Sequence, residues 1–154
     1  TTVESENPGM NNAFGGIAFL GNTRMYGEQW LYTRPDFSKM PEMLDRPIRK
    51  AVWHLPKLGG ADVRLTAHEA SARFCSFGSN WTNKIAVAAL ETESCACNGY
   101  VDLDVTHILT DSKTGFIKRS EGWVVRTKVK GSGFAAVATG DSYYTPQILE
   151  LNFQ

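Results

Sequence analysis

Alternation of apolar and polar residues at period two is the feature that most restricts what this chain can fold into. In Val101-Asp102-Leu103-Asp104-Val105-Thr106 the apolar residues Val101, Leu103 and Val105 fall on one face. Asp102, Asp104 and Thr106 fall on the other, the pattern of a half-buried strand. Ala61 to Ala67 repeats it, with Val63 and Leu65 inward and Asp62, Arg64 and Thr66 outward. Trp123 to Lys130 does the same, with Trp123, Val125, Thr127 and Val129 opposite Val124, Arg126, Lys128 and Lys130. Phe14 to Leu20, Phe134 to Thr139 and Ile148 to Phe153 supply further strands, and Ile85 to Leu90 reads as a fully buried one.

Turn signals separate these runs: Gly59-Gly60, Asn98-Gly99, Asp111 to Gly115, Gly131 to Gly133 and Gly140-Asp141-Ser142. One segment departs from the strand period. Met40, Met43 and Leu44 fit a helical face, Pro41 suits a first helical position, and Pro47 ends the run. The expectation is one short helix over about 40–46 inside an otherwise all-β chain. Many short strands in 154 residues imply a single sandwich or barrel.

Charge narrows the function classes. Sixteen Lys+Arg balance sixteen Asp+Glu, so the chain lacks the basic excess of a general nucleic-acid binder. No apolar run approaches the ~18 residues a membrane helix needs. The polar start TTVESENPGM lacks the pattern of a secretion signal. The missing initiator Met and the final Gln154 fit excision from a longer precursor as well as simple trimming. Cys75, Cys95 and Cys97 are an odd set, expected to be reduced thiols. Without a secretion signal, the Asn80-Trp81-Thr82 sequon is an accidental match.

Candidate chemistry is sparse. His54, His68 and His107 are the available bases, but no nucleophile motif accompanies them. Cys95-x-Cys97 with His107 lacks zinc-site spacing, and the pairs Asp102/Asp104 and Glu91/Glu93 read as solvated strand faces. The positive feature is a basic stripe. Arg126, Lys128 and Lys130 alternate on one strand, with Lys118 and Arg119 just upstream. Such a stripe can contact RNA phosphates. It can equally serve as a solvated, edge-protecting face, which is the favoured reading. Trp30, Tyr32, Tyr143 and Tyr144 are candidates for a sugar platform, although such aromatics more often anchor a core or an interface.

The order of motifs carries a resemblance. Trp53 closes the Pro-containing segment and ADVRLTA follows, then YVDLDVTHI, then Lys113-Thr114-Gly115-Phe116. A Ser-Glu-Gly-Trp turn ends at Trp123, and FAAVAT and ILELNF complete the series. From about Phe14 to Phe153 this resembles the small coat protein of the comovirus–nepovirus group of plant picorna-like viruses. The stretch from Trp123 to Val137 is longer than in that pattern, and Gln154 is similar to the residue where the family's cysteine protease cuts its polyprotein.

The resemblance implies an all-β, eight-stranded antiparallel jelly-roll sandwich, one domain over 1–154 with 1–12 as an extended arm. It implies a structural protein of an icosahedral shell around a positive-strand RNA genome. Its partners would be other copies around five-fold axes, a large coat protein or other jelly-roll coat domains, and genomic RNA. It places the chain in the virion, and in the host cytoplasm before assembly, with no catalytic residue, cofactor, metal or membrane contact. The residues alone leave two alternatives open: a carbohydrate-binding β-sandwich and a small β-barrel enzyme.

Overall fold

A computed structural model describes every residue except Arg119, Ser132 and Tyr144. The strands are β1 (Thr2–Glu4), β2 (Ile17–Thr23), β3 (Gly27–Thr33), β4 (Ile48–Gly60), β5 (Arg64–Ala70) and β6 (Val87–Cys95). They continue with β7 (Tyr100–Asp104), β8 (Trp123–Thr127), β9 (Phe134–Ala138) and β10 (Ile148–Phe153). Every pairing is antiparallel.

The pairing order gives the architecture. One run of four reads β2-β9-β4-β7, and a second reads β3-β8-β5-β6. Successive strands pass from one run to the other, except the β5–β6 hairpin. That order is the double Greek key of an eight-stranded jelly roll, so the expected fold is found. The runs join where β2 pairs with β3, which makes one curled sheet. Two strands are added to the eight. β10 takes up residues 48–54 of β4, below the 57–60 stretch that β9 pairs. β1 lies on the outer edge of β3, because Gln29 faces both Gly21 and Glu4, and Leu31 faces both Val125 and Thr2. The residues expected as an arm are therefore docked at their start, with Thr2, Val3 and Glu4 buried.

The core lies between the two runs. Leu20, Leu55, Leu65, Leu103, Val125 and Val137 fill it around Trp53 of β4 and Trp123 of β8. The two indoles meet edge to face with centroids 5.3 Å apart. A second cluster lies on the outer face of the β3-β8-β5 layer. There Val3, Trp30, Tyr32, Ala70 and Val124 are covered by Phe74, Trp81, Ile85 and Val87. Val124 was expected on a solvent face and is fully buried, because the 71–86 segment folds over that face.

Several local expectations change. The helix over about 40–46 shrinks to a single 3-10 turn, Pro41–Met43, with no buried residue. Met40 and Leu44 remain exposed, so no core contact stabilises more than one turn. The true α-helix is a single turn, α1 (Thr106–Leu109), which the strand pattern masked. Asp104 Oδ1 accepts bonds from the Thr106 N–H and hydroxyl, ending β7 and starting the turn. The segment expected as a fully buried strand, Ile85 to Leu90, contributes instead to β6, an edge strand with Leu90 66% exposed. Among the described residues, no strand pairs with its outer edge.

The cysteine expectation is corrected too. Cys95 and Cys97 are joined by a disulfide where β6 leaves the sheet, and Cys75 is free and exposed. Labelling the native protein with a thiol reagent should therefore add one group without reductant and three after reduction and unfolding. Three labels without reductant would contradict the pairing.

Candidate functional site

The basic stripe is broken by the end of its strand. β8 stops at Thr127, so Arg126 lies in the sheet while Lys128 and Lys130 lie in the bend and turn that follow. The Lys128 N–H still bonds the Arg64 carbonyl, one step beyond the Leu65–Thr127 pair, and the chain turns after it. None of the three side chains stands alone. The Arg126 guanidinium sits 5.0 Å from the centre of the Trp30 ring, a cation–π contact. The Lys128 ammonium pairs with Glu93 and lies 3.6 Å from Glu91, and Lys130 lies 3.8 Å from Glu28.

Register explains the carboxylates. β5 pairs Thr66 with Glu93 and His68 with Glu91, so both acids project beside the β8 end. Arg64 adds a 2.6 Å bond to Glu93. The acidic pair and the basic stripe, separate in the sequence, are thus one ion-pair lattice. The Lys128 and Arg64 bonds hold the Glu93 carboxyl below its usual range, and Glu93 raises Lys128 in return. Upstream, Lys118 bonds Glu69 at 3.0 Å. Arg119 lies outside the described residues.

The other candidates are dispersed. His68 is 2% exposed, with Nδ1 3.0 Å from the Ala88 carbonyl and Nε2 3.0 Å from the Thr66 hydroxyl. Burial pushes its imidazole below the ordinary histidine range. His107 sits on α1, and its Nε2 has no partner among the described residues. His54 lies on the opposite layer between Asp102 and Glu150, an arrangement that alternation alone could not reveal. Among the described residues, no group of His, Cys, Asp and Glu is placed to hold a metal. Among the same residues, no helix is long and apolar enough to cross a membrane.

The described sugar-platform residues do not share a surface. Trp30 is 9% exposed and Tyr32 is 1% exposed, both in the second apolar cluster. Burial pushes the Tyr32 phenol up to about 12. Tyr143 is exposed, and Tyr144 lies outside the described residues. A cleft of about 530 Å³ reaches the Trp53–Trp123 pair from a rim that includes Arg34 and Asp141. Among the described residues, the Trp123 indole N–H has no acceptor.

One polar feature escaped the sequence reading. Glu4 is 1% exposed and accepts bonds from Asn7, Asn12 and Gln29 at 2.9, 2.9 and 3.0 Å. That network fastens β1 to the sheet. Its only sequence signal is an acid flanked by amides in a segment that otherwise reads as polar tail.

The opposite turns converge. Those after β2, β4, β6 and β8 are linked by bonds from Asn22 to Gly133, Ala61 to Phe134, Ala96 to Val63 and Lys128 to Arg64. This end carries Met25, Leu58 and Val129 exposed. A scan of protein-family models and searches of curated proteins and solved structures each return no match to this chain.

Proposed function

We propose that the chain is a structural subunit of an icosahedral shell that encloses a positive-strand RNA genome. The observation that carries this reading is the double Greek key strand order, which agrees with the jelly roll implied by the motif resemblance. A tile of this kind needs edges, loops and apolar patches rather than a preorganised reaction centre. The open edge of β6 and the turn end bearing Met25, Leu58 and Val129 offer such surfaces. The turn end would gather with other copies around five-fold axes, and the remaining sides would meet a large coat protein or other jelly-roll coat domains. The virion is then its working location, with the host cytoplasm before assembly.

Contact with genomic RNA through Arg126, Lys128 and Lys130 is the weaker part of the proposal. Their positive charge is already opposed by Glu28, Glu91 and Glu93 or turned onto Trp30. Packaging would draw its neutralising charge from another subunit or from small cations. Replacing Arg126 and Lys128 together with Gln is expected to leave the fold intact, because both side chains reach solvent and no new like charge is set against Glu91 and Glu93. The RNA content of assembled particles, measured by absorbance ratio, should stay unchanged if packaging charge lies elsewhere. A marked fall would make the stripe a phosphate contact after all.

Carbohydrate binding is the competing function. The burial of Trp30 and Tyr32 removes two of the four aromatics it would use. The size of the purified species tests the shell reading: closed assemblies support it, and a persistent monomer that binds oligosaccharide opposes it.

A further inference from the structure

We propose that His54 is a proton-operated clasp that holds β10 against β4 and β7. The proposal does not rest on the shell reading, because it concerns one folded chain. His54 lies on β4, where the register sets it opposite Asp102 on β7 and Ile148 on β10. Glu150 is two residues beyond Ile148 and so projects from the same face of β10. The imidazole Nδ1 is 2.7 Å from Asp102 Oδ1, and Nε2 is 3.1 Å from Glu150 Oε2. An ionised carboxylate only accepts, and a neutral imidazole carries a single N–H. Both bonds therefore exist together only when the ring is an imidazolium.

The groups around the ring favour that state. From β7, Asp102 is joined by the Tyr100 ring, 6.5 Å away. Asp104, two residues along, is held by Thr106. From β10, Glu150 is steadied by the Asn152 amide at 2.9 Å. On β4 itself, Lys50 acts electrostatically on Glu150. The Asp102 hydrogen bond chiefly, with Glu150 assisting against partial desolvation, raises the imidazole above its ordinary value.

The sign follows from that direction. The clasp is complete below the ordinary histidine pKa and is lost as pH rises through the higher folded value. Deprotonation leaves one N–H for two carboxylates and sets a ring lone pair against the other. Among the described residues β10 and β7 each make their backbone ladder with β4 alone, so both feel this, and β10 is followed because the longer of the two bonds, 3.1 Å, is its own. The side chains are partly exposed, 23% for His54 and 61% and 52% for its partners, so the effect is local.

The test follows the ring by NMR over roughly pH 5 to 9, around the ordinary histidine range. Amide exchange of Ile148–Phe153 is read alongside, with Phe134–Ala138 of β9 as the internal reference. The His54 midpoint should lie above the ordinary 6.5, and D102N and E150Q should each lower it. Exchange in β10 relative to β9 should rise about two- to fivefold through the transition, and H54Q should abolish that step. A midpoint at or below 6.5 would overturn the clasp. So would a raised midpoint with a flat exchange ratio, since the ring would then titrate without holding the strand.

Discussion

Replacing Gly21 with alanine is expected to lower the melting temperature by at least ~6–12 °C, or to leave the chain insoluble. Gly21 is the corner of the fold: it faces Gln29 of β3 and Phe134 of β9, so both runs of strands meet at this residue. Its φ of +127° is a conformation that a residue with a side chain rarely adopts. An added Cβ would lie 2.1 Å from the Gly133 carbonyl oxygen and 2.8 Å from Phe134 Cα. Both obstacles are backbone, so neither can turn aside like a flexible side chain. Strain of this kind costs roughly 1–3 kcal/mol before any movement of β9 is counted. A total of ~3 kcal/mol is a large share of a typical stability of ~5–15 kcal/mol. Gly99→Ala is the control, because an added Cβ there meets nothing within 4 Å. Thermal unfolding followed by circular dichroism should separate the two variants. Equal melting temperatures would contradict the sheet corner described above.

The second large effect is expected at Trp53. Its side chain is 2% exposed and meets Trp123, 1% exposed, across the space between the two runs. Trp53→Ala removes the largest contribution of β4 to the core and leaves a cavity too deep for the strands to close. Such truncations cost about 3–5 kcal/mol, which corresponds to a fall of roughly 6–20 °C in a chain of this size. Trp123→Phe should cost less, because an aromatic ring remains and the indole N–H it loses has no partner among the described residues. A double-mutant cycle between the two positions should show coupling of ~0.5–1.5 kcal/mol. Additive losses would mean that the rings do not form the cross-sheet contact.

The residues that made the fold legible are those whose neighbours do not matter to their pattern. Val101, Leu103 and Val105 alternate with acids, and that suffices to place a strand with one buried face. The eight-strand order itself came from the resemblance, since alternation says nothing about which strand pairs with which. Val124 and Tyr32 show the limit. Val124 shares a face with Arg126, Lys128 and Lys130 that alternation assigns to solvent, Tyr32 lies on a strand that alternation did not mark, and only the 71–86 segment folded over both makes that face interior. No local feature of β8 or β3 announces a cover from elsewhere in the chain.

Site chemistry was less legible for the same reason. Arg126, Lys128 and Lys130 alternate in sequence, but β8 ends before the second of them. Their opposing acids come from β3 and from β6, beyond the reach of any pattern along one strand. Glu4 and His54 were hidden likewise, because each takes its partners from segments far away in the chain or on another strand. Zero net charge, which at first only excluded a basic nucleic-acid binder, includes at the end of β8 a lattice whose charges are spent on one another.

Sedimentation velocity of the purified protein over a wide concentration range tests the central claim, that this chain is a shell subunit built for association. The account predicts discrete, closed assemblies far larger than the 17.0 kDa chain, alone or with its companion coat domains. A single monomeric boundary at every concentration and with every coat partner supplied, together with saturable binding of an oligosaccharide, would contradict it.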